Sequence, residues 1–545
     1  WRYHNNTKNH EMGSRGFLLG NIYSIVIKGC LKVKANGVLN CLRESYCLAL
    51  FCFFFAYFYV RIKLTYNERV EKTMNDQLHL DVLQKDIGTL LEQVRRNSTI
   101  EPSLYTKYDV KRGLRNANGT GVTAGITSIS SVVGYEVEDG KKIPTEGHLL
   151  YRGIDLADLV EGFEKEGRLG YEEVAYLLLF GVLPSDKDLN FFTHRLSERR
   201  NFPTNFKEDC ILKIPSQNIM NKLQRLILAL YSYDSNPDDI SLEKVLAQSI
   251  DLIAKAPLMI AYAYQAREHY FNKASLVLHQ PLENASTAEN ILHLTRTDSD
   301  FTRLEAEVLD LCLCVQADHG AGNNSCFANH VVSSSGTDTY SAISTAIGSL
   351  KGPRHGSANM KVFNMMKDIS THVKDWNNDT ELSNYLYKIL RKEAFDGTGL
   401  IYGMGHAVYT LSDPRATLLK KKAESLAKNS EYEAEFKLIT NVERLTKKLL
   451  KEIKGEDYNI CANVDLYTGI IYHILGLKED MFTPIFACAR MSGWCAHRLE
   501  QILDNKIIRP AYVYLNKNNL KYVPLSERID SGEYIRRLEL TKENN

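Results

Sequence analysis

Three histidines stand beside glycines in segments whose residue pattern is typical of irregular backbone. They are His319 in ADHG, His355 in PRHG and His406 in GMGHA, whereas most of the fifteen histidines lie in polar or amphipathic stretches. Loops of this kind often carry ligand-binding side chains. A loop histidine bonded only to backbone is the alternative for any one of them, but three in the same setting favour a shared site.

His355 is followed by GSANMKVFNMM, which predicts the start of a helix. The positive end of that helix dipole would disfavour an imidazolium and keep the ring neutral, so that it could hydrogen-bond a carbonyl oxygen. The loop Gly399–Gly405 could offer backbone amides to a nucleotide or a thioester, although it matches neither a P-loop nor a GxGxxG fingerprint.

Two arginines occur where a cation is unfavourable without a partner. Arg415 follows Asp413 and Pro414, which predict an N-cap and a first helical residue, and a cation in that first turn opposes the helix dipole. A solvated arginine is one reading, and a contact with an anionic ligand is the favoured one. Arg490 lies among small apolar residues in IFACARMSGWCAH, and a guanidinium buried there needs an anionic partner.

Asp465 and Arg509 are ambiguous by themselves. Asp465 precedes the apolar stretch Ile470–Leu477 in CANVDLYTG, where a helix N-cap and a carboxylate base would look alike. Arg509 precedes a proline, which predicts extended backbone and a side chain projecting from a connecting segment.

The elements that must position these residues are mostly helices. Apolar residues recur at helical spacing from Asn75 onward, and strand-like alternation is found near Thr127–Val137 and Tyr512–Tyr522. The predicted helical segments are Ile154–Glu164, Tyr171–Phe180, Asn221–Tyr233, Ser241–Gln265, Arg303–Val315, Asp338–Leu350, Glu381–Phe395, Ala434–Lys454 and Pro484–Asp504.

Two of these segments carry small residues in series, which predicts close helix–helix contacts within a subunit or across a dimer. The small residues are Ala342, Ser344, Ala346 and Gly348 in one segment, and Ala487, Ala489 and Gly493 in the other.

The composition is that of a globular protein of about two to four domains, with 545 residues, 44% hydrophobic and 24% charged. The 67 basic residues nearly balance the 66 acidic ones, so neither nucleic acid nor a membrane surface is an expected partner. Without CxxC, HExxH or zinc-like spacing, we expect no metal. We interpret the cysteines as free thiols in a reducing compartment.

Residues 1–73 differ from the rest of the chain. They are rich in Cys and Phe without clear periodicity, and the apolar run Tyr46–Val60 is shorter than the ~20 residues of a membrane span. We expect a non-native or leader extension, with Met74 as the true start; a membrane anchor or an organelle presequence is the alternative.

Several separated motifs together resemble those of the citrate synthase family, in family order and over roughly Arg112–Tyr522. The motifs are YRGIDLADL, YEEVAYLLLFGVLP, ADHG, GPRHGSAN, GMGHAVYTLSDPRA, ANVDLYTG, FACARMSGWCAH and IIRPAYVYL. The agreement of several motifs makes the resemblance specific, although each is modest alone.

The resemblance implies a role for each site residue. Asp465 would remove a methyl proton of acetyl-CoA while His355 hydrogen-bonds the thioester oxygen, and His406 would protonate the oxaloacetate carbonyl. The residues implied to bind oxaloacetate are His319, Arg415, Arg490 and Arg509, the last reaching in from a neighbouring subunit. The loop implied to follow the CoA adenine is Leu400, Ile401, Tyr402, Gly403, Met404 and Gly405. No basic residue is assigned to the CoA phosphates.

The resemblance also implies a mainly α citrate synthase fold with two domains. A large helical domain would comprise 74–356 and 476–545, and a smaller mobile helical domain, 357–475, would close over the active site. The implied protein is a homodimer or higher homo-oligomer. It would have no tightly bound cofactor, acetyl-CoA as co-substrate, and the first step of the tricarboxylic acid cycle as its reaction. We expect a cytoplasmic location, with the mitochondrial matrix as the alternative.

Three other functions compete with this one. 2-Methylcitrate synthase uses the same residues on propionyl-CoA, and one methylene changes binding in an apolar pocket by only about 1–3 kcal/mol. A non-catalytic structural paralogue would keep the fold, but all seven proposed side chains are present. A metal-binding protein using the histidines lacks close ligand spacing in the sequence.

Overall fold

The computed structural model describes most of the chain, and its contacts divide the chain into two units. One unit is Tyr108–Tyr514; the other combines Trp1–Lys107 with Leu515–Asn545 and includes a short helix at Pro102–Lys107. All predicted site residues lie in Tyr108–Tyr514, whereas the predicted leader extension lies outside the described residues. The described residues are 88, 90–356, 358–515 and 521–528.

The unit Tyr108–Tyr514 is built mainly from α-helices, and each of the predicted helical segments coincides with one of them. The mainly α fold is therefore confirmed. The helices are α1 Leu156–Lys165, α2 Tyr171–Phe180, α3 Asp186–Glu198, α4 Ile219–Leu230, α5 Leu242–Asn272, α6 Thr287–Thr295, α7 Arg303–Gln316, α8 Asn324–Ser333, α9 Thr339–Leu350, α10 Ala358–His372, α11 Asp379–Leu390, α12 Pro414–Ala427, α13 Glu433–Lys454, α14 Val464–Ile474 and α15 Phe482–Asp504.

A small antiparallel sheet precedes the helices. Strand β1 (Ser130–Glu138) pairs with β2 (Lys141–Tyr151), which pairs with the short β3 (Ile154–Asp155). Asp139 and Gly140 both adopt positive φ in the connecting turn, the backbone that a tight hairpin requires. The strand predicted near Thr127–Val137 is confirmed. A strand at Tyr512–Tyr522 is wrong for the described part of that range, which is irregular because no partner strand pairs with it there.

Helix α15 is central to the core. It packs against α5, α8, α7 and α2, and its apolar and small residues are almost all buried. Among the described residues, α5 is the one helix long and apolar enough to cross a membrane, but 78% of its most apolar window is buried inside the protein. That burial is typical of a core helix.

The small residues in α9 and α15 serve contacts inside the subunit. A Cβ on Gly348 would lie 2.6 Å from Nε2 of Gln224, and one on Gly493 would lie 2.4 Å from the carbonyl oxygen of Ala317. The same Cβ on Gly493 would also lie 2.4 Å from Oδ1 of Asp318. Gly493 thus lets α15 approach the end of α7, where the loop carrying His319 begins.

Helices α10 to α14 lie within the predicted smaller domain. Helix α14 packs against α10 and α12, and α11 packs against α13, while α12 and α14 also contact α7. The contacts group all of Tyr108–Tyr514 together. The boundaries of a large domain at 74–356 and 476–545 and a mobile domain at 357–475 stay a prediction.

Candidate active site

Two of the glycine-flanked histidines lie together. The rings of His319 and His406 meet edge to face with their centroids 5.1 Å apart, and the ring of Tyr409 stacks 4.7 Å from that of His406. Nε2 of His319 is buried and has no hydrogen-bond partner among the described residues. Burial, followed by the charge of Arg415, holds the pKa of His319 well below its usual value. His319 is therefore a neutral ring with one unused polar atom.

The backbone around His406 determines its tautomer. The amides of Val408 and Tyr409 both donate to Nδ1 of His406 at 3.1 Å, so that this nitrogen is the acceptor and Nε2 carries the proton. Burial and the nearby Arg415 lower the pKa of His406 to about 4. Tyr409 is held in turn by its hydroxyl, which donates to the carbonyl of His148 in β2 at 3.2 Å. His406 thus presents a neutral N–H donor.

His355 is the complementary tautomer. The backbone amide of Ser325 donates to Nε2 of His355 at 3.3 Å, and the Ser325 hydroxyl lies 3.0 Å from the same nitrogen. That hydroxyl also accepts from the indole of Trp494 at 3.2 Å. Because Nε2 accepts the amide proton, the ring proton of His355 is on Nδ1.

Burial, followed by the charge of Arg490, lowers the pKa of His355 to about 4, which favours the neutral ring. The helix terminus hydrogen-bonded to the ring belongs to α8, whose first turn contains Ser325, and not to the helix that follows His355 in the chain. The contact between the His355 ring and a helix N-terminus is therefore a tertiary one, although the sequence predicts it from the neighbouring helix.

Asp465 is not the N-cap of its helix. The side chain of Asn463 caps α14 by accepting from the amide of Asp465 at 3.1 Å, which leaves the Asp465 carboxylate in the first turn without a capping role. The described residues include no hydrogen bond to that carboxylate. Burial raises the pKa of Asp465 to about 6, although the charges of Arg415 and Arg490 act in the opposite direction. A carboxylate with these properties suits a general base near neutral pH.

Arg415 is buried and paired rather than solvated. Its Nε and Nη2 donate to the two carboxylate oxygens of Asp413 at 3.0 and 2.7 Å, while Asp413 also caps α12. Burial lowers the pKa of Arg415, but Asp413 more than offsets this effect and keeps the guanidinium charged. Asp413 and Pro414 are the N-cap and first residue of α12, as predicted. Asp413 orients the guanidinium and leaves Nη1 free of that pairing.

Arg490 is 1% exposed, as its apolar sequence context predicts. Its Nε donates to the carbonyl of Gln316 at 2.7 Å, its guanidinium lies over the ring of Phe486, and Nη2 is buried with no partner among the described residues. The described residues provide no ion pair for this cation. A buried guanidinium with an unused N–H favours an anionic ligand at this position.

Arg509 stands apart from this group. It is exposed in the segment 505–515 after α15, and no hydrogen bond or ion pair within the described residues joins it to the other site residues. The extended backbone predicted from the following proline stays a prediction.

The predicted CoA loop lines a cleft of about 750 Å³. Gly403 and Gly405 adopt φ of +84° and +90°, and a Cβ on Gly403 would lie 2.8 Å from Leu466. The loop is tied to the segment before α14, because the Asn463 amide donates to the carbonyl of Gly403 at 2.9 Å and its side chain donates to that of Gly405. Leu400 is 56% exposed at the cleft. The loop is therefore hydrogen-bonded to Asn463, which lies two positions before Asp465 in the chain.

The same cleft contains basic side chains that the motifs left unassigned. Arg391 and Lys454 both line it, and Lys454 donates to the hydroxyl of Tyr458 at 3.0 Å. Lys361 donates to the hydroxyl of Tyr402 in the loop at 3.1 Å. These positions could meet the phosphates of a nucleotide.

Sequence reasoning also missed the residues that hold the site together. Ser325 has no motif of its own, and Gln316 is an ordinary helical residue until the fold brings it to Arg490 and to Tyr472. Asp413 was recognised as a cap, but its pairing with Arg415 was not. An acidic residue two positions before a buried arginine was the available signal.

The arrangement can bind a small dianion and remove a proton from a neighbouring carbon. Two neutral N–H donors, on Nδ1 of His355 and Nε2 of His406, flank a region with two buried arginines. The charge of Arg490 affects the pKa of His319, His355 and Asp465, as expected when these groups lie close together. Fixed donors of this kind stabilise negative charge on a developing oxyanion.

Comparisons with known proteins agree with this chemistry. The family model for the citrate synthase C-terminal domain matches residues 116–511. A citrate synthase of Acidithiobacillus ferridurans is 34% identical over 75% of this chain and 97% of its own length. A 2-methylcitrate synthase of Shewanella oneidensis is 30% identical over 77% of this chain and 100% of its own. The crystal structure of citrate synthase from Pyrobaculum aerophilum matches 75% of this chain and 94% of its own, with 28% identity and a TM-score of 0.61.

Proposed function

The chain belongs to the citrate synthase family, and from this we propose how its residues condense acetyl-CoA with oxaloacetate and water to give citrate and CoA. The observation that carries the proposal is the combination at one site of a carboxylate with a pKa of about 6, two neutral imidazole donors and buried arginines. The family resemblance led us to expect the same reaction.

The acetyl half of the reaction belongs to Asp465 and His355. Asp465 takes a proton from the methyl group of acetyl-CoA, and the thioester oxygen, which gains negative charge, accepts a hydrogen bond from Nδ1–H of His355. A thioester methyl group is far too weakly acidic for a carboxylate in water, so the fixed donor is essential. Because His355 is neutral and buried, it can stabilise the enol oxygen without a change in net charge.

The keto acid half belongs to His406, His319 and the arginines. Nε2–H of His406 is directed to the oxaloacetate carbonyl and supplies the proton as the new carbon–carbon bond forms. Nε2 of His319 and Nη2 of Arg490 are buried polar atoms without protein partners, which supports their contact with the substrate. Arg415 completes the binding set with the guanidinium that Asp413 orients.

The length of the acyl chain separates the two activities found among the relatives. We expect acetyl-CoA plus oxaloacetate to release CoA thiol with a kcat/KM at least about 10-fold above that for propionyl-CoA, since one methylene is worth about 1–3 kcal/mol in an apolar pocket. Thiol release from both donors measures the ratio directly. A preference for propionyl-CoA would instead assign the chain to 2-methylcitrate synthesis, and release from neither donor would favour a non-catalytic paralogue.

The loop Leu400–Gly405 holds the CoA adenine, and Arg391 and Lys454 contact the CoA phosphates. Replacing both basic residues by alanine should raise KM for acetyl-CoA about 10-fold, since each exposed ion pair between a basic side chain and a CoA phosphate contributes up to ~1 kcal/mol. We expect kcat to be unchanged and the effect to shrink at high ionic strength. The matched control is Lys448→Ala, which removes an exposed lysine on α13, the helix that also carries Lys454, but outside the cleft. An unchanged KM in the double variant would remove these residues from the CoA site.

The remaining assignments are proposals as well. Arg509 is exposed on the segment after α15, which supports a homodimer in which it enters the neighbouring site. Closure of a mobile domain at 357–475 would exclude water from the enol intermediate.

We place the reaction at the first step of the tricarboxylic acid cycle and the protein in the cytoplasm, with the mitochondrial matrix as the alternative. The seven free cysteines among the described residues suit a reducing compartment.

A further inference from the structure

Beneath the loop of His319 lies a buried cluster that the proposed reaction does not use. It consists of Cys326, His330 and His497, whose sulfur and ring nitrogen atoms all lie within 4.8 Å of one another. Cys326 and His497 are fully buried and His330 is 8% exposed. Cysteine and histidine are both common ligands of transition metals.

The fold assembles the cluster from two packed helices. Cys326 and His330 are four residues apart on α8 and therefore lie on the same face, which packs against α15. His497 comes from that facing helix, and a hydrogen bond of 2.8 Å from the Asn329 side chain to the carbonyl of Trp494 holds the two helices in register. A sequence scan for metal sites could not find this set, because the third residue is far away in the chain.

The outer nitrogens of the two rings are already occupied. Nε2 of His497 lies 3.3 Å from Oδ2 of Asp318, and Nδ1 of His330 lies 2.9 Å from Oε1 of Gln501. Both acceptors are oxygens, so these ring nitrogens carry the protons. A carboxylate or carbonyl behind a histidine is the usual arrangement at metal sites, where it fixes the tautomer of the ligand.

The inner nitrogens of the two rings face one another. Nε2 of His330 and Nδ1 of His497 are 3.2 Å apart. In the metal-free protein a single proton shared between these nitrogens satisfies the pair, and a divalent cation between the rings would take its place. Tetrahedral Zn–N bonds of 2.0–2.1 Å place two ligand nitrogens about 3.3 Å apart, close to the observed separation.

A fourth donor lies beside the rings. Oε2 of Glu500 is buried, has no hydrogen-bond partner among the described residues, and is 3.8 Å from Nδ1 of His497, too far for a hydrogen bond. The other oxygen of the same carboxylate accepts from the amide and hydroxyl of Ser128 at 2.7 and 2.9 Å. Glu500 is thus oriented with one unused oxygen close to His497.

We propose that Cys326, His330, His497 and Glu500 bind one divalent transition-metal ion of the zinc type. The thiol of Cys326 gives up its proton to solvent on binding and coordinates as the thiolate. One thiolate and one carboxylate neutralise the two charges of the ion, which limits the cost of burying it. The ion would join α8 to α15 and, through Asp318, support the loop of His319, so that its role is structural. The proposal departs from our expectation of no metal.

The test compares metal content in the full chain and in two cysteine variants. After equilibration with ZnCl₂ and gel filtration, we expect about one Zn²⁺ per chain in the wild type and in Cys312→Ala, which removes another fully buried thiol. Cys326→Ala should retain less than about a tenth of that amount under the same conditions. The Co²⁺-loaded wild type should show a thiolate-to-cobalt absorption band in the near ultraviolet, which Cys326→Ala should lack.

Two outcomes would overturn the proposal. One is wild-type protein without stoichiometric Zn²⁺ and without a cobalt–thiolate band, which would mean that a proton alone bridges His330 and His497. The other is equal metal content in wild type and Cys326→Ala. If Cys326→Ala fails to fold, the cobalt spectrum of the wild type alone still decides whether a thiolate ligand exists. Because none of these measurements uses activity, they are independent of the proposed reaction.

Discussion

Asp465→Asn should lower kcat for citrate formation by about 10²- to 10⁴-fold, the usual contribution of a positioned general base. The amide has nearly the same shape as the carboxylate but cannot accept the methyl proton of acetyl-CoA. Replacing the side chain should not weaken the fold, because a carboxyl group whose folded pKa is raised destabilises the native state when it is ionised. Thiol release measured at pH 8 gives the rate, and thermal unfolding checks the fold.

The pH dependence of the wild type tests the same assignment. Only the ionised form of Asp465 can act as the base, and its pKa of about 6 means that this form is lost as the pH falls through 6. We expect kcat/KM for acetyl-CoA to fall about 10-fold per pH unit below that value, since this parameter reports groups of the free enzyme. Asp379→Asn, which changes an exposed carboxylate on α11, is the control. An Asp465→Asn variant with wild-type kcat would contradict the assignment.

His355→Gln should lower kcat by about 10²- to 10³-fold, the cost of removing one donor to a developing oxyanion. The amide nitrogen of glutamine takes the place of Nε2, whereas that of asparagine takes the place of Nδ1. The structure puts the donor proton on Nδ1 because Nε2 accepts from the amide of Ser325. His355→Asn should therefore keep more activity than His355→Gln, in steady-state rates measured at saturating oxaloacetate.

The comparison of His355→Asn with His355→Gln is informative because both substitutions remove the imidazole and differ in where they place the amide nitrogen. If glutamine preserved activity better than asparagine, the donor would be Nε2 and the tautomer inferred from Ser325 would be wrong. The double variant Asp465→Asn, His355→Gln should be little slower than the slower single variant, because two residues that act in one step have strongly non-additive effects. Multiplicative losses would mean that the two residues act in separate steps.

The helices were largely predictable because their signals are local. Apolar spacing located α2 and α7 closely, and Asp413 with Pro414 marked the first residues of α12. The strand predicted at Tyr512–Tyr522 was wrong in its described part, because alternating residues form a strand only where a partner is present. The sequence left Asp465 open as an N-cap or a base, since Asn463 and Asp465 are both good capping residues and only the backbone geometry chooses between them.

The sequence by itself determined which residue types were available for chemistry: three loop histidines, an aspartate before a helix and two arginines in unfavourable settings. It also determined the family, through motifs whose order is independent of conformation. Only the three-dimensional structure decided the tautomers of His355 and His406: the amide of Ser325, distant in the chain, selects the first, and the backbone fold of Val408 and Tyr409 selects the second. It likewise brought His497 to Cys326 and His330, because burial, hydrogen bonding and metal-binding geometry depend on contacts between residues that are distant in the chain.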